Sequence, residues 1–183
     1  HIHSVQVQRA GDLIDLPQTT RRNLELTQTL RGEDAPTLFS LLDSCITGMG
    51  SRLLKSWLLT PRRERSDASQ RHGAIATLRA GPWARLRERL KGSTDVERIT
   101  ARIALNQVRP RELVGLGQTL NRAAALVPLL DQPDALLTHI AQALQAPPGC
   151  AELLARALLP EPAALVRDGG VIADGFDAEL DEL

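Results

Sequence analysis

Pro110-Arg-Glu-Leu-Val-Gly-Leu-Gly-Gln-Thr-Leu-Asn-Arg-Ala-Ala-Ala-Leu-Val127 opens on a proline, whose fixed φ and missing N–H suit the first turn of a helix. Leu113, Leu116, Leu120 and Val127 then recur at helical intervals and fall on one stripe. The spacing predicts a long helix, although Gly115 and Gly117 weaken its intrinsic propensity. The same period extends outward on both sides. Upstream, Val96, Ile99 and Ile103 follow a cap at Thr94 or Asp95, and Trp83, Leu86 and Leu90 run from Gly81-Pro82 to a stop at Gly92. Ile75 and Leu78 follow Ser66 or Asp67. Met49, Leu53, Leu54, Trp57 and Leu58 form a stripe closed by Thr60-Pro61, because the residue before a proline is pushed out of the α region. Thr37 caps Leu38, Leu41, Leu42 and Cys45. Downstream, Leu137, Ile140 and Leu144 precede Pro147-Pro148, and Leu153, Leu154 and Ala157 precede Pro160 and Pro162.

Two places break this grammar. Val5 and Val7 alternate, turn at Arg9-Ala10-Gly11-Asp12 and resume at Leu13 and Ile14. Leu165-Val166-Arg167 and Val171-Ile172 flank Asp168-Gly169-Gly170. Each pattern predicts a small β-hairpin, with Gly169 and Gly170 at positive φ. Asp177 caps a final acidic helix. The predicted class is mainly α, an irregular multi-helix bundle with two small β-hairpin elements. Its parts are a β-containing lead-in over 1–30, a helical core over 31–163, and a hairpin with the start of a further helix over 164–183. The stripe from Met49 to Leu58 is expected in the core with Trp57 inward.

Composition agrees with this class. Of 183 residues, 43% are hydrophobic and only 2% aromatic, so the core is aliphatic. No run reaches the roughly 18–20 apolar residues of a membrane span. Cys45 and Cys150 read as two reduced, buried thiols. The chain opens on His1 and ends at Asp181-Glu182-Leu183 inside a starting helix, which reads as a piece of something longer.

The 22 basic and 22 acidic side chains cancel overall but are unevenly placed. Residues 1–120 carry a net +7 and residues 121–183 a net −7, and Arg52 to Arg111 holds 15 basic groups against 5 acidic ones. Arg62, Arg63, Arg65, Arg85, Arg89 and Lys91 are therefore candidates for a phosphate-facing surface. An arginine-rich, solvated helix face is the competing reading.

Catalytic patterns fail on inspection. Gly170-Val-Ile-Ala-Asp-Gly175 has the glycine spacing of a phosphate loop but continues Phe176-Asp177 where lysine and a hydroxyl are needed. Gly48-Met-Gly-Ser51 lacks a nucleophile frame. His1 and His3 lie at a chain end, while His72 and His139 have no ligand-spaced companions. Asp95 and Glu97, two apart on a helix, point away from each other. The sequence predicts no catalytic, cofactor or metal site.

Specific strings carry more than periodicity. Thr20-Arg-Arg-Asn-Leu-Glu-Leu26, Leu42-Asp43, Met49-Gly-Ser-Arg-Leu-Leu-Lys-Ser-Trp57-Leu and Pro61 are followed in order by Asp95-Val-Glu-Arg-Ile99 with Arg102 and by Arg109-Pro-Arg-Glu-Leu113. Leu165-Val-Arg-Asp-Gly-Gly-Val-Ile-Ala173 and Glu179-Leu-Asp-Glu182 complete the series. Together they closely resemble the MutS family of DNA mismatch repair proteins across essentially the whole chain. The resemblance implies the core, or lever, segment between a connector domain and an inserted DNA clamp. It singles out Met49, Gly50, Arg52, Leu54, Trp57, Pro61, Asp168, Gly169 and Gly170 as structural positions. The family's mismatch-stacking Phe-x-Glu does not occur, since Ser40-Leu41 follows Phe39 and Asp177-Ala178 follows Phe176. Its Walker loop is absent too. The resemblance thus implies a non-enzymatic relay without cofactor in this segment. For the full-length protein it implies a homodimeric, cytoplasmic ATPase of bacteria that uses ATP and Mg and holds mismatched duplex DNA. A free-standing helical adaptor for a protein partner and a basic nucleic-acid binder stand as alternatives.

Overall fold

A computed structural model describes residues 10–182. Among these the protein is mainly α: ten α-helices, and isolated β-bridges in place of a sheet. The chain divides into two compact units, His1–Ile75 and Ala76–Leu183.

The first unit holds α1 (Gln18–Asn23), α2 (Leu38–Leu42), α3 (Gly48–Leu59) and most of α4 (Arg65–Ala80), which continues into the second. The first predicted hairpin lies mostly outside the described residues, since Val5 and Val7 precede them. What is described is a 3-10 turn at Ala10–Asp12, after which Leu13 bridges to Arg62. Ile14 N–H donates to the Pro61 carbonyl at 2.8 Å and Arg63 N–H to that of Asp12 at 3.0 Å. Leu13 and Ile14 thus pair with a distant segment, one that a reading of local alternation does not find.

Thr37 caps α2 reciprocally with Ser40, as its position before an apolar run predicts. Thr47 caps α3 by accepting from Gly50 N–H at 3.1 Å. The expectation that α3 lies in the core is corrected: none of its residues is buried. Met49, Leu54 and Leu58 are half-buried, while Leu53 is 50% and Trp57 40% exposed. Helical spacing identifies an apolar stripe but not what covers it. Among the described residues of this unit the enclosed apolar side chains are Leu26 and Ala74, too little material to wall in an indole. Trp57 instead carries the Arg71 guanidinium 3.9 Å from its ring centroid, a cation–π contact on a partly wet surface.

The second unit contains α5 (Trp83–Leu90), α6 (Val96–Ala104), α7 (Pro110–Leu126), α8 (Ala135–Ala143), α9 (Cys150–Ala157) and the short α10 (Ala178–Asp181). Pro110 is the first residue of α7, whose packing partners are α5, α6 and α9. Leu86, Ile99, Leu116, Leu126, Leu137 and Leu158 make the core, with Ile99 and Leu137 each only 2% exposed. Enclosure of this kind contributes about 1.5–3 kcal/mol per side chain.

Two glycines decide how close α7 comes to its neighbours, the loop before α6 and the helix α9. A Cβ on Gly115 would sit 2.6 Å from Thr94 Cγ2, and one on Gly117 would sit 3.3 Å from Leu154 Cβ. At the first contact Thr119 Oγ1 accepts from Thr94 N–H at 2.9 Å, lies 2.9 Å from Thr94 Oγ1, and donates to the Gly115 carbonyl at 2.8 Å. Polar ties run along α7: Glu112 pairs with Arg102 of α6 at 2.7 Å, Arg111 Nε donates to the Pro162 carbonyl at 3.1 Å, and Arg122 donates to that of Gly92 at 2.6 Å.

The second predicted hairpin is corrected as well. Val166–Asp168 forms a 3-10 turn, and Ile172 bridges to Leu158 instead of to the Leu165 segment. Leu159 N–H donates to Val171 O and Ala173 N–H to Ala157 O, both at 3.0 Å. The returning chain therefore pairs with the end of α9, and Val171 is buried. Gly169 and Gly170 take the expected positive φ, +70° and +60°. The thiols are less enclosed than expected: Cys45 is exposed and Cys150 half-buried.

Two stability measurements follow. Trp57→Ala should cost about 1–2 kcal/mol in denaturant unfolding of this chain, below the roughly 3–5 kcal/mol of an enclosed aromatic; a larger loss would show the indole covered. Gly115→Ala should lower the thermal midpoint despite its gain of about 1 kcal/mol in helix propensity, because overpacking against a hydrogen-bonded Thr94 costs more. Adding Thr94→Ser, which removes Cγ2 and keeps the hydroxyl, should restore most of the loss. Equal midpoints for the single and double variants would contradict the contact.

Candidate functional site

The sequence nominates six basic side chains, and they fall in different settings. Arg62, Arg63 and Arg65 belong to the first unit, Arg85, Arg89 and Lys91 to the second, and all six are exposed. Arg62 pairs with Asp67 at 3.2 Å, and Arg63 Nε donates to the Leu13 carbonyl at 2.8 Å. Both fasten the lead-in and the start of α4. Lys91 pairs with Glu88 at 2.7 Å across one helical turn. Arg65, Arg85 and Arg89 keep their charge unpaired among the described residues. Arg85 and Arg89, four apart on α5, share one helical face.

The positions singled out around α3 are placed by its N-terminal capping. Gly50 is the third residue of the helix and supplies the N–H that Thr47 accepts. The Asp43 carboxylate receives the Ser51 hydroxyl and the Cys45 N–H. These bonds, the Ser51 hydroxyl first and the Cys45 amide second, hold its pKa below the ordinary carboxylate value. Arg52 and Leu54 are half-buried within the helix, and Pro61 just beyond it is half-buried. Asp168 is exposed, with Arg167 Nε at 3.8 Å, and lies in the 3-10 turn before Gly169 and Gly170.

One arrangement was not legible from the charge runs. A polar cavity of about 450 Å³ in the first unit is lined by Arg21, Arg22 and Arg31 together with Thr27, Gln28 and Thr29. These arginines precede the dense basic stretch and are too few to mark a run. Adjacent arginines within the string Thr20 to Leu26 were the available signal, but Arg31 joins them only through the fold.

His72 and His139 are exposed on α4 and α8. Among the described residues, no group of three or more His, Cys, Asp or Glu is placed to hold a metal ion. No described helix is long and apolar enough to cross a membrane.

A family model described as MutS domain III matches residues 19–182. The match runs from within α1 through α10 and takes in both units. It contains all the strings that suggested the family, from Arg21-Arg22 at α1 to Glu179-Leu-Asp-Glu182 at the last helix. The chain therefore belongs to the MutS domain III family, the core domain of MutS-type DNA mismatch repair proteins.

Proposed function

We propose that this domain is the mechanical core of a mismatch repair ATPase, a lever through which ATP state and DNA grip influence each other. The observation that carries the reading is the construction of α7: one 17-residue helix to which α5, α6 and α9 are all packed. Transmission needs a stiff element whose alternative placements are biased from both ends. Close approach to α7 at its glycines, by Leu154 of α9 and by Thr94 in the loop before α6, the latter backed by the Thr94–Thr119 hydrogen bonds, supports stiffness. The domain itself does no chemistry in this reading. ATP and Mg are used elsewhere in the full-length protein, which works as a homodimer on mismatched duplex DNA in the bacterial cytoplasm and nucleoid.

The alternative of a direct nucleic-acid binder draws on Arg65, Arg85 and Arg89, whose charges are exposed and available. It draws less on Arg62, Arg63 and Lys91, which already have internal partners.

Leu154 is half-buried on α9 against Gly117, so Leu154→Ala loosens the α7–α9 contact without reaching a ligand. In the full-length protein the ratio of mismatched-duplex affinities measured with and without ATP should shrink by about threefold or more, since coupling between sites is typically about 1–3 kcal/mol. The variant must first be shown folded, because truncation of a packed leucine can cost about 2–5 kcal/mol. An unchanged ratio in a folded variant with a lowered unfolding midpoint would reduce the domain to a passive spacer.

A further inference from the structure

The cavity between α1 and the loop that follows it has a chemistry that neither the relay nor the exposed basic residues account for. Its lining brings three arginines, Arg21, Arg22 and Arg31, to one concavity with no carboxylate-bearing residue among the lining residues. Glu25 lies nearby in sequence, but its Oε1 accepts the Leu30 N–H at 2.7 Å and it is not part of the wall. Arg22 spends one terminal N–H on the Leu30 carbonyl at 3.1 Å. Arg21 Nε is enclosed by protein atoms, closed to any ligand, and has no hydrogen-bond partner among the described residues. A buried, unanswered donor on a charged group is costly. Arg102 makes the contrast clear: its Nε is also buried without a partner, yet its terminal nitrogen meets Glu112 at 2.7 Å and its charge is balanced. No such carboxylate answers Arg21 among the described residues.

The neutral lining fits an oxyanion as well. Thr29 Oγ1 accepts the Glu33 N–H at 3.0 Å, which leaves its hydroxyl proton able to donate. Thr27 and Gln28 add uncharged donors to the wall. Guanidinium forks match the tetrahedral oxygens of phosphate, two donors to two acceptors. At about 450 Å³ the cavity lies within the roughly 300–1,000 Å³ of small-molecule sites, larger than one phosphoryl group requires.

We infer that this cavity is a binding site for phosphate oxyanions, gripped by Arg21, Arg22 and Arg31. Two sources share that chemistry, a free oligophosphate such as a nucleoside diphosphate tail and the phosphodiester backbone of nucleic acid. The inference does not depend on the relay reading, because it concerns the chain as it stands, without reference to any coupling.

The test titrates the chain with pyrophosphate by calorimetry and, separately, with a fluorescent duplex. Arg31 is exposed, so Arg31→Gln should keep the wild-type thermal midpoint while weakening binding about tenfold, as loss of one charge-assisted contact predicts. Arg21→Lys keeps the charge and replaces the guanidinium fork by a single ammonium, and should weaken binding about threefold or more. Arg79→Gln, an exposed change at a residue of α4 that is not among the lining residues, should leave both affinities as they are. Pyrophosphate binding sensitive to Arg31 assigns the site to small oligophosphates. Duplex binding that is sensitive to Arg31 and displaced by pyrophosphate assigns it to the nucleic-acid backbone. If the wild-type chain binds neither probe at millimolar concentration, or both arginine variants stay within about twofold of wild type, the inference falls.

Discussion

The second unit depends on the approach of α7 to its neighbours at Gly115 and Gly117. At the first glycine the opposing methyl of Thr94 occupies the space a Cβ would take, and at the second Leu154 closes in. Such an approach would strand polar groups unless they were paired, and the Thr119 hydroxyl does the pairing. Its two lone pairs face Thr94 N–H and Thr94 Oγ1, while its single proton goes to the Gly115 carbonyl. With that capacity filled, the spacing between Thr94 and α7 is set by hydrogen bonding as well as by shape. The buried leucines of this unit, Leu116 and Leu126 on α7 and Leu137 on α8 among them, supply the larger share of stabilisation but could accept other spacings.

The first unit is held by different means. Few of its apolar side chains are enclosed, and backbone and polar contacts take a larger part. The Leu13 bridge, the Arg63 side-chain bond and the Thr37–Ser40 box secure its segments. The carbonyls of Glu25 and Leu26 accept the N–H groups of Leu38 and Phe39 at 3.1 and 2.9 Å, satisfying donors that the first turn of α2 leaves unpaired. Glu25 takes φ +46° at the point where the chain leaves α1, the left-handed geometry that often ends a helix.

These differences explain what the sequence reveals. Most helices were legible because caps and apolar period act locally: Pro110 begins α7, Asp95 caps α6 and Asp177 caps the last helix, whereas α1 falls within a lead-in read as β-containing. The family was legible through ordered strings. Gly115 and Gly117 were read as liabilities because propensity is local, whereas their use is tertiary. Alternation at Leu165–Ile172 suggested a self-paired hairpin, but Ile172 found Leu158, a pairing that no local pattern encodes. Trp57 was expected inside because spacing reports an apolar face and is silent about its cover. The arginine-lined cavity escaped for a related reason, since Arg31 reaches Arg21 and Arg22 only after the loop has folded back.

The exposed apolar face of α2 and α3 has a colloidal consequence. Leu41 is 81% exposed and Leu53 and Trp57 follow at 50% and 40%, in a chain whose formal charge at pH 7 is zero and whose isoelectric point is near 7.1. Long-range repulsion between copies therefore vanishes at the pH where most work is done. Wetted leucine and indole on separate molecules then meet without an opposing field, so this domain handled by itself is least soluble near neutrality and is better kept a unit or more away from it.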